Sequence, residues 1–121
     1  SFEGLDLEAT LDLGEVISIQ NIQLYCLQNQ GPYVFMPTKV YFSLSTDGIT
    51  FNEVSEILPK TSPKYDGPII EVFDAVIPNM NARYVRVKAD NIGECPDWHP
   101  GSGAKAWLMA GEVIVNKVGL E

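Results

Sequence analysis

Apolar and polar residues alternate along most of this chain with a period of two. Leu7, Ala9, Leu11 and Leu13 are separated by Glu8, Thr10 and Asp12. Val40, Phe42 and Leu44 alternate with Tyr41, Ser43 and Ser45, and Val85, Val87 and Ala89 alternate with Tyr84, Arg86 and Lys88. Successive side chains of a strand point to opposite faces, so this spacing predicts half-buried strands. Helical periodicity is absent. Seven strands are predicted, at 6–13, 17–27, 38–46, 51–57, 69–77, 82–89 and 106–116. The run from Ile69 to Ile77 is apolar on both faces apart from Glu71 and Asp74, which predicts a central strand. Short strands separated by turn signals predict an all-β, antiparallel sandwich.

The connections alternate in length. Short turns are expected at Asp12-Leu13-Gly14-Glu15, Thr46-Asp47-Gly48 and Pro78-Asn79-Met80-Asn81, where Gly, Asn, Asp and Pro supply turn conformations. Long loops are expected at 28–37, 58–68 and 90–105. If every strand reverses direction, the long loops and residues 1–5 emerge at one end of the sandwich. Gln28, Asn29, Gln30, Tyr33, Tyr65, Asn91, Trp98 and His99 then share a surface. The loop from Asn91 to Gly103 stands out, because it holds a Trp, the single His and one of two Cys among residues that forbid regular structure. Loops of that kind on a rigid β scaffold are where binding concentrates.

Composition narrows the partners. The 121 residues are enough for one domain with a real core. The net charge is −8, with 16 acidic and 8 basic side chains and no basic run. Phosphate binding depends on clustered Lys and Arg, so nucleic acid and anionic membrane surfaces are excluded as expected partners. No apolar run approaches the roughly 20 residues of a membrane helix, so no membrane insertion is expected. Neutral ligands fit best. Cys26, on the strand face shared by Ile22 and Leu24, and Cys95, in the long loop, either form a disulfide or remain two separate thiols.

Five pieces in order resemble the discoidin family, the coagulation factor V/VIII C-type domain that includes family 32 carbohydrate-binding modules. They are Ala9-Thr10-Leu11-Asp12-Leu13-Gly14, Pro37 through Val40, Phe42 through Gly48 with Phe51, Ala82-Arg83-Tyr84-Val85-Arg86-Val87, and Ala110 through Val115. More narrowly, Phe2-Glu3-Gly4, Asp6 through Ala9, Leu27-Gln28-Asn29, and Cys95 through His99 leading to Ala106-Trp107-Leu108 are similar to a C-terminal domain of Bacteroides-type family 20 β-N-acetylhexosaminidases (chitobiases). The resemblance implies a galactose-binding-domain-like jelly roll over residues 1–119, excised from the C-terminus of a larger enzyme. Leu120 and Glu121 read as a cloning remnant. It further implies a periplasmic, surface-exposed or secreted setting and an upstream catalytic domain in the same chain.

The expected function is a non-catalytic carbohydrate-binding accessory module, taking terminal galactose, N-acetylgalactosamine or N-acetylglucosamine. The alternative is a structural domain packed on the catalytic domain. Trp98 or Tyr33 would stack on a sugar face, because pyranose C–H groups suit an aromatic ring. Gln28, Asn29, Asn91 and His99 would bind hydroxyls through groups that donate and accept. Each has a plainer role: Trp98 as a plug, His99 as a loop pin, Asn91 and the amides as turn stabilisers. Trp107, at a strand start, is expected in the core. Asp6, Glu8 and Asp12 are expected as a solvated face. No cofactor is expected beyond a structural calcium, for which Glu112 is the one family ligand that matches, helped by the Gly111 carbonyl; Ca²⁺ takes six to eight oxygens. An independent enzyme is disfavoured, since no nucleophile–base pair marks the sequence.

Overall fold

The computed structural model describes residues 2–117; the segment 118–121, with Leu120 and Glu121, lies outside the described residues. The described residues form six strands and no helix: β1 (Phe2–Glu3), β2 (Leu7–Gln28), β3 (Lys39–Ser45), β4 (Asn52–Ile57), β5 (Ile69–Asp90) and β6 (Trp107–Val115). They pair antiparallel in the order β1-β6-β2-β5-β3-β4.

The expected count of seven needs correction. The stretches 6–13 and 17–27 are one strand, and so are 69–77 and 82–89. The presumed turns at 12–15 and 78–81 are bends within a long two-stranded ribbon. Between Asp12 and Ile17, β2 advances five residues while β5 moves only from Tyr84 to Ala82. Between Ile19 and Asn21 the imbalance reverses, with β5 passing from Met80 to Val76. Extra residues on alternating strands bend and twist a ladder without ending it. Gly14 takes the left-handed conformation that the first bulge requires (φ 88°), and its N–H is held by Asp12 Oδ1 at 2.8 Å.

The bends fold the sheet over on itself. Ile22, Leu24, Cys26, Phe73, Ala75 and Ile77 from one half meet Val40, Phe42, Leu44, Val85, Val87 and Ala89 from the other in one buried cluster. That is the sandwich core, built by the inward positions of the period-two pattern. The outward row of β2 carries Glu8 and Asp12, which pair with Arg86 (3.8 Å) and Arg83 (2.8 Å) on β5, in keeping with a solvated face.

Ile69–Ile77 is not central. Its only strand partner among the described residues is β2, because β3 pairs with the other half of β5, Tyr84–Asp90. Its outward face is also uncovered, with Ile70, Val72 and Val76 exposed. Cys26 and Cys95 are free thiols. They sit in different clusters, the sandwich core and a small second core of Phe35, Cys95 and Ala106, so the disulfide alternative fails on position.

Candidate functional site at the loop end

The three long loops do meet at one end of the sandwich. A bend that carries a strand into the facing half of the sheet reverses it relative to that end, as a turn would. The contacts are direct. Gln28 Nε2 donates to Ser62 O at 2.8 Å, and Gln30 Nε2 donates to Lys64 O and Tyr65 O, both at 3.0 Å. Asn91 Nδ2 donates to Leu5 O at 3.0 Å, tying the N-terminal residues to the third loop.

His99 is the hub. It is 5% exposed and both ring nitrogens are engaged. The Gly101 N–H donates to Nδ1 at 2.9 Å, so Nδ1 is the unprotonated nitrogen and Nε2 carries the hydrogen it donates to Gln30 O at 2.6 Å. Three aromatic rings meet the imidazole at steep angles: Tyr33 at 5.2 Å between centroids, Phe35 at 5.3 Å and Trp98 at 5.9 Å. Edge-to-face contacts of this kind are favourable because ring edges are positive and ring faces negative. Below them lies the small core of Phe35, Cys95 and Ala106, whose burial pushes the Cys95 thiol pKa up.

Tyr33 is held unusually. Its φ is 66°, which a bulky residue rarely adopts. Its N–H donates to Gln30 O at 3.0 Å, and its carbonyl accepts from the Trp107 N–H at 2.8 Å. The ring lies against Gly101 so closely that a Cβ there would sit 2.6 Å from Tyr33 Cζ. Phe35 turns inward and is buried, while Tyr33 stays at the surface.

These placements divide the predicted binding residues. Gln28 is a correction: its side chain is buried, and its amide is consumed by Ser62 O and by the Met36 N–H, which donates to Oε1 at 3.2 Å. His99 has both nitrogens engaged by the loops. Asn91 is engaged as well. Its amide donates to Leu5 O, its Oδ1 accepts from the Gly93 N–H at 2.7 Å, and its own N–H donates to Asp6 Oδ1 at 2.8 Å. Trp98, Tyr33 and Asn29 remain open. Trp98 and Tyr33 are 41% and 36% exposed, and Tyr65 joins them at 47%. Asn29 is half-exposed, and among the described residues its amide makes no side-chain hydrogen bond.

Three features were not legible in the sequence. Lys64 Nζ stands over the Trp98 ring at 5.6 Å from its centroid. Gly101 seats Tyr33. Trp107, expected in the core, is half-buried; with Leu27, Asn29, Pro32, Val34 and Met109 it lines a surface groove of about 320 Å³. Lone Lys and Gly residues in loops carry no signal of what they touch.

Glu112 is exposed, and among the described residues no group of three or more His, Cys, Asp or Glu side chains is placed to hold a metal ion. The only imidazole is committed to backbone partners, and both thiols are buried with raised pKa values, Cys26 to about 12.

The comparisons agree with this architecture. Two solved structures illustrate the fold. One is a CBM32 module of a GH89 protein from Clostridium perfringens, in complex with GalNAc-β-1,3-galactose, at 23% identity and TM-score 0.60; the match covers 92% of this chain and 66% of that one. The other is the C-terminal domain of a chitobiase from Bacteroides fragilis, at 19% identity and TM-score 0.58, covering 97% and 66% respectively. The chain thus spans slightly less than two thirds of the length of either structure. No curated protein matches the sequence. The F5/8 type C domain model matches residues 5–111, and with the folded-over antiparallel sheet this shows that the chain belongs to the F5/8 type C, or discoidin, domain family.

Proposed function

We propose that this domain is a non-catalytic carbohydrate-binding accessory module of a secreted or periplasmic bacterial glycoside hydrolase of the chitobiase type, and that it binds terminal sugars weakly through its loop end. The observation that carries the reading is the group of exposed rings, Trp98, Tyr33 and Tyr65, on loops locked from beneath by His99. Rigid aromatic surface lowers the ordering cost of binding and suits the C–H face of a pyranose. The free Asn29 amide both donates and accepts, as a sugar hydroxyl does. Gln28, Asn91 and His99 support the loops and do not touch ligand. A sugar-bound CBM32 module of the same fold makes a glycan the ligand class to test. Galactose, N-acetylgalactosamine and N-acetylglucosamine are the candidates.

A site this open supports a Kd of about 1 mM, equal to about −4 kcal/mol. Attachment to a catalytic domain makes such affinity useful by raising the effective concentration of sugar. The test is an NMR titration of the labelled domain with each sugar, and with chitobiose, to ~50 mM, well above that Kd. Saturable shifts centred on Asn29, Tyr33, Tyr65 and Trp98 are expected with at least one of them. Silence with all four sinks the reading. The remaining role would then be a structural domain packed on its catalytic neighbour, and the exposed apolar face around Ile70, Val72 and Val76 is the observation that favours it.

A further inference from the structure

The bend in the ribbon leaves the Ile69–Ile77 half of β5 paired on one side only. β2 occupies that side, and among the described residues no loop makes a backbone-to-backbone hydrogen bond to the other. Unpaired N–H and C=O groups along a strand are a template for another strand, and proteins usually blunt such edges with charge, Pro or extreme shortness.

The other edges of this sheet are blunted. β1 has only two residues. β4 exposes Asn52, Glu53 and Glu56. The Leu7–Leu13 part of β2 shows Glu8, Thr10 and Asp12. β6 beyond Leu108 is interrupted by exposed Gly111 and Glu112. Ile69–Ile77 has no Lys, Pro or Gly. Of its two acids, Glu71 turns to the neighbouring loop, accepting from the Lys60 and Thr61 N–H groups at 2.9 Å each. Its outward row is Ile70 (64% exposed), Val72 (40%), Asp74 and Val76 (82%). This edge is open along its length, and its outward row is apolar but for Asp74.

We infer that two copies of this chain pair antiparallel along Ile69–Ile77, about a twofold axis at Phe73. The segment is self-complementary in that register. Ile70 faces Val76 of the second copy, twice over by symmetry, and Val72 faces Asp74. The two Asp74 carboxylates are not directly opposed but are diagonal neighbours, about 7–8 Å apart, so the like-charge penalty is reduced. The backbone groups left free by β2 are satisfied, and the apolar outer face becomes continuous across the pair. Because β5 starts at the loop end, beside Gln28, antiparallel pairing points the two loop ends in opposite directions. The dimer would bridge two ligand surfaces and would not grip one surface twice.

The inference does not rest on sugar binding and is tested apart from it. Sedimentation equilibrium from ~10 μM to ~1 mM should show the mass rising from 13.4 kDa toward twice that value. Val76→Lys, at an exposed site, should keep its melting temperature and any sugar-induced NMR shifts, yet dimerise at least tenfold more weakly. Ile70→Cys combined with Val76→Cys should give a covalent dimer on mild oxidation, while the two native thiols stay buried. That pair also decides the matter if Val76→Lys fails to fold. A single 13.4-kDa species up to ~1 mM, a dimer indifferent to Val76→Lys, or a double-cysteine variant that does not cross-link would each overturn the proposal.

Discussion

At the scale of single residues, the structure separates two roles that the sequence presents together. His99 and Trp98 are adjacent in the chain, and residue type alone suits either to a ligand. Burial and bonding part them: His99 has both nitrogens on backbone groups, while Trp98 offers an exposed ring. His99→Ala leaves the Gly101 N–H without its partner and the Gln30 carbonyl with the Tyr33 N–H alone, and it removes the ring that Tyr33, Phe35 and Trp98 contact. A loss of about 1–3 kcal/mol is expected from a urea melt. Trp98→Ala forfeits two edge contacts from a surface position, so about 1 kcal/mol or less is expected, together with at least a tenfold loss of sugar affinity. The opposite pattern, a large stability loss at Trp98 with affinity kept, would make Trp98 a plug. No residue-level pattern marks Gln28 as a buried brace or Asn91 as a half-buried one. Their amides are consumed by Ser62, Met36, Leu5 and Gly93, and those partners converge only once the sheet has folded over.

At the scale of elements, alternation located β2 through β6 but missed the two-residue β1 and misjudged where strands end. Gly14, Pro78 and Asn79 look like reversals because bulges and turns draw on the same residues. What tells them apart is the pairing of Asp12 with Arg83 across the ribbon, seen as two hydrogen bonds of 2.8 and 3.0 Å. That pairing pulls the Asp12 pKa from its ordinary 3.8 to about 2, chiefly through the Arg83 hydrogen bond and then the Gly14 N–H. The folded value lies below the unfolded one. The charged carboxylate therefore contributes its full stabilisation above about pH 4, and loses it as pH falls toward 2. Melting temperatures of wild type and Asp12→Asn should differ at pH 5 and converge by pH 2. A gap that persists at pH 2 would show that Asp12 acts at the bend through shape and not charge. The apolar run at 69–77 misleads for a related reason: two apolar faces suggest a strand covered on both sides, yet Ile70, Val72 and Val76 are exposed on the outer one.

At the scale of the whole molecule, counting reversals placed the long loops at one end, and that outcome survives the change from turns to bends. Two buried clusters hold the domain together. The sandwich core contains Cys26, and the small cluster of Phe35 and Ala106 beneath the aromatic platform contains Cys95. Small clusters under long loops open at lower free energy than a core of paired strands. Thiolate is the reactive form, and burial raises both thiol pKa values, so neither cysteine should label in the native protein near pH 8. In urea below the unfolding midpoint, Cys95 should label first and Cys26 only on global unfolding, as read by mass spectrometry of alkylated peptides. Equal rates at every urea concentration would mean that the loop end and the sandwich open as one unit. The distinction bears on binding, because a loop end that opens by itself must be ordered when sugar binds, and that cost comes out of an already small binding energy. A sugar that binds at the Trp98 platform should then slow Cys95 labelling in dilute urea and leave Cys26 unchanged, since only the loop end would gain stability below the global transition.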